Sequence, residues 1–151
     1  LLYKQLKKDS TRSRAGLADY VLVFRKPGDN AEPVGHDVES FPVEQWQKWA
    51  SPVWMDIDQT NTLNSAMARE QADERHVCPL QLDLISRALV LWSNPGDVVL
   101  SPFMGIGSEG VCSLMAGRRF IGIELKQSYF QAAAAKLAAE DGQGVMFKAT
   151  A

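Results

Sequence analysis

Cysteine and histidine are scarce in this chain: only Cys78, Cys112, His36 and His76 occur among its 151 residues. Two thiols make no disulfide framework, and their spacing to two imidazoles gives no zinc-ligand set. Long apolar runs are missing as well, since no stretch approaches the roughly 18 consecutive apolar residues of a membrane-spanning helix. The opening Leu1-Leu2-Tyr3-Lys4-Gln5-Leu6-Lys7-Lys8 places apolar before basic residues, the reverse of a signal peptide, so a cytoplasmic protein with no membrane partner is expected. Neither an internal repeat nor a low-complexity tract is found. What is present is an ordinary globular composition, 46% hydrophobic and 23% charged, in a chain long enough to bury the core of one domain or most of one.

The net charge of −2 conceals three unlike stretches. Residues 1–28 carry seven Lys/Arg against two acids, residues 29–75 three against ten, and residues 76–151 six against six. The basic head holds Lys4, Lys7, Lys8, Arg12, Arg14, Arg25 and Lys26. Such a cluster suits phosphates, whose neutralisation releases counterions, and it equally suits a solvated face. The acidic balance of 29–75 argues against that whole segment lying flat on DNA.

Along the chain, Tyr20-Val21-Leu22-Val23-Phe24 reads as a buried strand stopped by Arg25-Lys26-Pro27-Gly28. The irregular stretch 29–75 contains Trp46, Trp49 and Trp54, which suit stacking on bases or, as tryptophans more commonly do, packing. From Pro79 the register becomes helical through Leu80, Leu82, Leu84, Ile85, Leu89 and Leu91-Trp92, and Asn94-Pro95-Gly96 ends it. Asp97-Val98-Val99-Leu100 predicts a short strand, and a helix opens at Gly105, Gly107 and Gly110 and runs to about Gly117. Phe120–Leu125 predicts a second strand, an alanine-rich helix follows from about Ser128 to Glu140, and Val145-Met146-Phe147 is expected as a third strand. The resulting β-α-β-α-β order implies a parallel sheet covered by helices.

Gly105-Ile106-Gly107-Ser108-Glu109-Gly110 matches G-x-G-x-x-G in the right setting, after a strand and at the start of a helix, with Glu124 placed 17 residues beyond Gly107 at the next strand's carboxyl end. Glycines let backbone approach a ligand, and a carboxylate at that place accepts hydrogen bonds from ribose hydroxyls. Adenosine is the expected ligand moiety.

The string His76-Val77-Cys78-Pro79-Leu80-Gln81, then Asn94 through Ser108, resembles motif X running into motif I of the DNA amino-methyltransferases whose cofactor motifs follow their catalytic one. Gly117-Arg118-Arg119-Phe120-Ile121-Gly122-Ile123-Glu124 with Ser128-Tyr129-Phe130 is similar to the same family's motif II, so residues 74–140 are covered. The resemblance implies an α/β, Rossmann-like S-adenosylmethionine-dependent methyltransferase fold, present in part, as a parallel sheet flanked by helices. Residues 1–28 would supply the closing strand region with its basic head, 29–75 the target-recognition segment, and 76–151 the S-adenosylmethionine-binding subdomain. Cys78, Pro79 and Leu80 would approach the cofactor. Ser101 and Pro102 would begin its loop, Phe103, Gly105, Gly107 and Ser108 would line its methionine side, and Glu124 would hold its ribose. Ser101 departs from the family's usual Asp-Pro-Phe and removes a carboxylate that would pair with the cofactor's ammonium. Double-stranded DNA is the implied partner, with Arg12, Arg14, Lys7 and Lys8 as phosphate contacts, in a phage or restriction-modification setting.

Methylating an exocyclic amine needs a group that accepts its hydrogen bonds, on a base flipped beside the methyl donor. The family supplies it with an Asp/Asn/Ser-Pro-Pro-aromatic tetrapeptide, which this chain lacks; Ser51-Pro52-Val53-Trp54 has no second proline and stands in the wrong order. The chain is therefore expected to be a fragment, inactive by itself, with a homodimer or a missing N-terminal half as its further partner. Two other readings remain open: a nicotinamide-dinucleotide domain, against which Pro102-Phe103 argues, and a non-enzymatic truncated methyltransferase binding nucleic acid or protein through the basic head and an exposed sheet edge.

Overall fold

The computed structural model of the chain describes residues 18–63 and 79–148. Residues 18–32 belong to one compact unit and those from Pro33 onward to a second.

In the first unit, Tyr20-Val21-Leu22-Val23-Phe24 is not a strand, which corrects the sequence expectation. Its side chains are exposed, Phe24 to 88%, and no partner strand pairs with it among the described residues. An apolar β-branched run fits a pleated, half-buried surface, but the surface and the ladder must come from elsewhere in the fold. The expected turn is present: Gly28 has φ 108°, and Arg25 Nη2 donates to Gly28 O at 2.9 Å.

The second unit runs α1 (Val43–Trp49), α2 (Leu82–Trp92), β1 (Val98–Ser101), α3 (Ser108–Met115), β2 (Arg119–Gly122) and α4 (Gln127–Lys148). Short α1 carries Glu44 in its first turn and Lys48 in its last, both complementing the helix dipole. Helix α2 keeps the apolar period seen in the sequence and buries Ile85 and Leu89. They meet Cys112 of α3, with Leu82, Val99 and Ala116 packed around them. Burial of each large aliphatic side chain contributes about 1.5–3 kcal/mol.

β1 and β2 pair in parallel, Val98 opposite Arg119 and Ser101 opposite Gly122, joined through α3. The alternation of exposure along both strands covers one sheet face and leaves Val98, Leu100 and Ile121 open on the other. Val145-Met146-Phe147, expected as a third strand, lies instead in α4. Glycines at 142 and 144 each cost about 1 kcal/mol in a helix without breaking it, whereas proline would. Among the described residues the order is thus β-α-β-α, with two strands.

Residues 33–62 are fastened to α2 by polar contacts. The Arg87 guanidinium gives Asp56 two hydrogen bonds, at 3.0 and 3.1 Å, and lies 5.1 Å from the Trp49 ring centroid and 4.9 Å from that of Trp54. Lys48 Nζ joins Asp56 at 2.9 Å, and Trp54 Nε1 donates to Trp49 O at 2.8 Å. Asp83 accepts from Asp58 N and Asn61 Nδ2. Trp49 and Trp54 are therefore packing residues, while Trp46 stands half exposed. Buried Arg118 serves the end of α2: its guanidinium donates to Ser93 O at 2.7 Å, to Ser93 Oγ at 3.1 Å and to Leu89 O at 3.4 Å, satisfying carbonyls left over at a helix C-terminus. No helix of the described residues is long and apolar enough to cross a membrane.

Candidate functional site

The chain leaves β1 at Ser101, turns through residues 102–107 and enters α3 at Ser108. Two backbone bonds carry strand-like pairing past the sheet: Ile123 N donates to Ser101 O and Met104 N to Ile123 O, each at 2.9 Å. The turn needs left-handed backbone at Gly105, φ 56°, and Gly107, φ 92°. Gly107 has a second reason to be glycine, since a Cβ there would come 3.1 Å from Ala133 Cβ of α4. In α3, a Cβ on Gly110 would meet Leu137 Cδ2 at 2.6 Å and Phe120 at 2.8 Å. Of the three glycines in the pattern, then, the first shapes the loop, the second shapes it and admits α4, and the third admits both α4 and β2.

Glu124 sits just beyond β2 and reaches back to this loop. Its Oε2 accepts from Gly105 N at 2.9 Å and its Oε1 from Lys126 N at 2.8 Å. A carboxylate offers about four lone-pair sites, so both oxygens retain acceptor capacity for a diol.

Beside the loop lies a cavity of about 200 Å³. Pro79 and Leu80 line it from the approach to α2, and Phe103, Gly105 and Ser108 from the loop and the start of α3. Tyr129 closes it from α4, with Lys126 Nζ 4.4 Å from its ring centroid. Five of the residues singled out in the sequence thus meet at one cavity. Ser101 and Gly107 are buried and Pro102 is exposed; these three, and Glu124, lie outside the cavity wall. Cys78, Lys7, Lys8, Arg12 and Arg14 fall outside the described residues.

Sequence reasoning missed Glu109, in the first turn of α3, which also lines the cavity. Burial pushes its carboxyl above the usual glutamate value. The only signal was an acid directly after the glycines, which reads as a dipole-complementing residue in a helix's first turn. Cys112, one turn further, has its thiol pushed up chiefly by burial and belongs to the core.

The residues present fit the adenosyl-amino-acid cofactor that the sequence suggested: a glycine loop on the carboxyl side of a parallel pair, a carboxylate at the next strand's end, and a cavity at the helix start.

A DNA methylase family model of the N6/N4 methyltransferase type matches residues 3–136. The type II methyltransferase M.BglI of Bacillus subtilis is 30% identical over 114 residues, covering 75% of this chain and 28% of that protein. M.MthZI, a type II methyltransferase of Methanothermobacter thermautotrophicus, is 29% identical over 117 residues, covering 74% and 32%. Among solved structures, a Thermus thermophilus protein assigned as a DNA modification methylase, complexed with S-adenosyl-L-methionine, aligns with a TM-score of 0.56 at 30% identity, over 77% of this chain and 41% of that one. The chain spans about a third of the length of those two curated relatives. With 134 of its residues inside the family match, the strand, glycine loop and helix described above are those of a Rossmann-like S-adenosylmethionine-dependent fold, and the chain belongs to the DNA methylase family of N6/N4 methyltransferases.

Proposed function

We propose that this chain is the S-adenosylmethionine-binding portion of an enzyme that methylates the exocyclic amine of adenine (N6) or cytosine (N4) in double-stranded DNA, adenine being the preferred target. The observation that carries this is the Gly105–Glu124 hydrogen bond, which ties the glycine loop to the end of β2 beside the cavity. In this reading Glu124 accepts the ribose hydroxyls, Phe103, Gly105, Gly107 and Ser108 surround the methionine side, and Cys78, Pro79 and Leu80 approach from the segment before α2. Ser101 and Pro102 position the loop.

S-adenosylmethionine supplies an electrophilic methyl group on its sulfonium. This chain's own residues orient that donor and keep water from it, and none is assigned to the transfer itself. The family's catalytic tetrapeptide does not occur in the sequence. Ser51-Pro52-Val53-Trp54 is engaged locally, with Ser51 Oγ donating to Val53 O at 3.1 Å and Trp54 packed against Arg87 and Trp92. We therefore propose that the chain alone does not turn over. Residues 29–75 are proposed as the target-recognition segment and the basic head of 1–28 as the DNA-facing part. A cytoplasmic restriction-modification or phage setting completes the reading. The open sheet face bearing Val98, Leu100 and Ile121 suits a further layer of polypeptide, and sedimentation velocity would register a homodimer.

Calorimetric titration of the chain with S-adenosylhomocysteine, with NAD as control, tests the assignment without needing catalysis. Saturable binding of the former alone is expected; a folded chain that binds neither, or binds NAD instead, overturns it. Incubation with labelled S-adenosylmethionine and DNA is expected to leave the DNA unlabelled, and incorporation by this chain alone would refute the inactivity.

A further inference from the structure

The cavity that the described residues form beside the glycine loop accommodates only part of a cofactor. Pockets that take complete small ligands begin near 300 Å³, and this one encloses about 200 Å³. Glu124, the ribose residue of the proposed function, is outside its wall, whereas Phe103, Gly105 and Ser108 form it. On that reading the cavity takes the amino-acid end of the cofactor, a zwitterion with one ammonium and one carboxylate.

A zwitterion needs a counter-charge and a set of donors. Donors stand at the start of α3, where the amides of Ser108 and Gly110 precede the first intrahelical bond, Val111 N to Gly107 O, and the N-cap Gly107 offers no side chain to cap them. The counter-charge is not at position 101, because that residue is a buried serine whose carbonyl already accepts from Ile123 N. The one acid among the described residues that lines the cavity is Glu109. Among the described residues its carboxylate has no cation within ion-pair distance and no hydrogen-bonding side chain, and the hydrogen bond it does accept comes from its own backbone amide. A half-buried carboxylate without such a partner costs stability, and it is out of place in a wall that needs no charge for packing.

We propose that Glu109 is the counter-charge for the ammonium group of S-adenosylmethionine, taking over at the first turn of α3 the part that an aspartate at position 101 would play. The inference rests on the reading of this loop as a cofactor site and adds to it a specificity-determining residue. It also accounts for the loop's departure at Ser101, since one carboxylate is enough for one ammonium and two close together would repel.

The test compares two ligands that share a neutral thioether and adenosine but differ in the amino-acid group: S-adenosylhomocysteine and 5′-methylthioadenosine. Both are titrated calorimetrically into the full chain and into Glu109→Gln. The substitution is expected to weaken S-adenosylhomocysteine at least about tenfold, the loss of one charge-assisted hydrogen bond, and to leave 5′-methylthioadenosine within about twofold. Glu109→Asp, which keeps the charge, is expected to lose less. Because the glutamine removes a desolvated charge, its melting temperature should be no lower than that of the parent chain, which separates a binding role from a structural one. Equal loss for both ligands, or no loss for S-adenosylhomocysteine, overturns the role of Glu109 while leaving the cofactor site standing. A folded parent chain that binds neither ligand removes the site itself, and the proposal with it.

Discussion

The backbone amide of Gly105 donates to Glu124 Oε2 at 2.9 Å across 19 residues of sequence. The acid that the proposed function places on a ribose is therefore also the brace of the loop in front of it. Glu124→Ala is expected to weaken S-adenosylhomocysteine binding by about 1–3 kcal/mol, the range for a hydrogen-bonded charged acceptor and the donor it leaves behind. An unchanged dissociation constant in the folded variant would sink the ribose assignment.

Arg87 is the clasp between α2 and residues 49–56. Its side chain is 7% exposed and that of Asp56 is 38% exposed. Breaking a fully buried pair costs about 3–5 kcal/mol. Discounting for the screening of Asp56 and adding the two ring contacts leaves about 2–3 kcal/mol for Arg87→Ala. Urea unfolding followed by tryptophan fluorescence would measure it, and a cost below about 0.5 kcal/mol would mean that the clasp is ornamental.

The same pair sets an acid response. Hydrogen bonds from Arg87, and next from Lys48, hold the Asp56 carboxyl well below its ordinary 3.8. A carboxyl lowered in the folded state stabilises fully above its unfolded value and loses that contribution as pH falls through the folded one. Thermal melts should therefore show a decline below about pH 4 that Asp56→Asn largely removes, and parallel pH curves for the two proteins would contradict it.

Gly110 leaves no room for a methyl group, whose carbon would stand 2.6 Å from Leu137 Cδ2 and 2.8 Å from Phe120. Although alanine is the better helix former, Gly110→Ala should destabilise by about 1–3 kcal/mol through overpacking. Stabilisation in a denaturant titration would show that α4 does not press on α3 as described.

The basic head predicts a salt effect. If Arg12 and Arg14 touch phosphates, neutralising both should reduce the slope of log affinity against log salt for DNA by up to about two contacts' worth, measured by fluorescence anisotropy. A slope that does not move assigns them to solvated surface.

Much of the second unit was legible because its signals are local. The apolar period of α2 and its Asn94-Pro95-Gly96 stop, the short strand read at Asp97–Leu100 and found one residue later at Val98–Ser101, and the glycine loop followed by Glu124 each declare themselves within about twenty residues. The run from Tyr20 to Phe24 and the stretch from Val145 to Phe147 failed as strands because pairing is a property of two segments. Glu109 escaped notice because an acid after a glycine loop looks like any first-turn residue until a cavity is seen beside it.

By itself, then, the amino-acid order determined the succession of helix, strand, glycine loop, helix and strand after Pro79, though not their end residues, the turn geometry that only glycine permits, and the expectation of an adenosine-type ligand. Only the tertiary structure decided that Arg87 lies against two tryptophans and pairs with Asp56, that Glu124 holds the amide of Gly105, and that Glu109 rather than Ser101 faces the cavity. The reason is physical: helix periods and turn preferences arise from near neighbours along the chain, whereas burial, charge pairing and cavity walls depend on which distant segments the packing brings within a few ångströms.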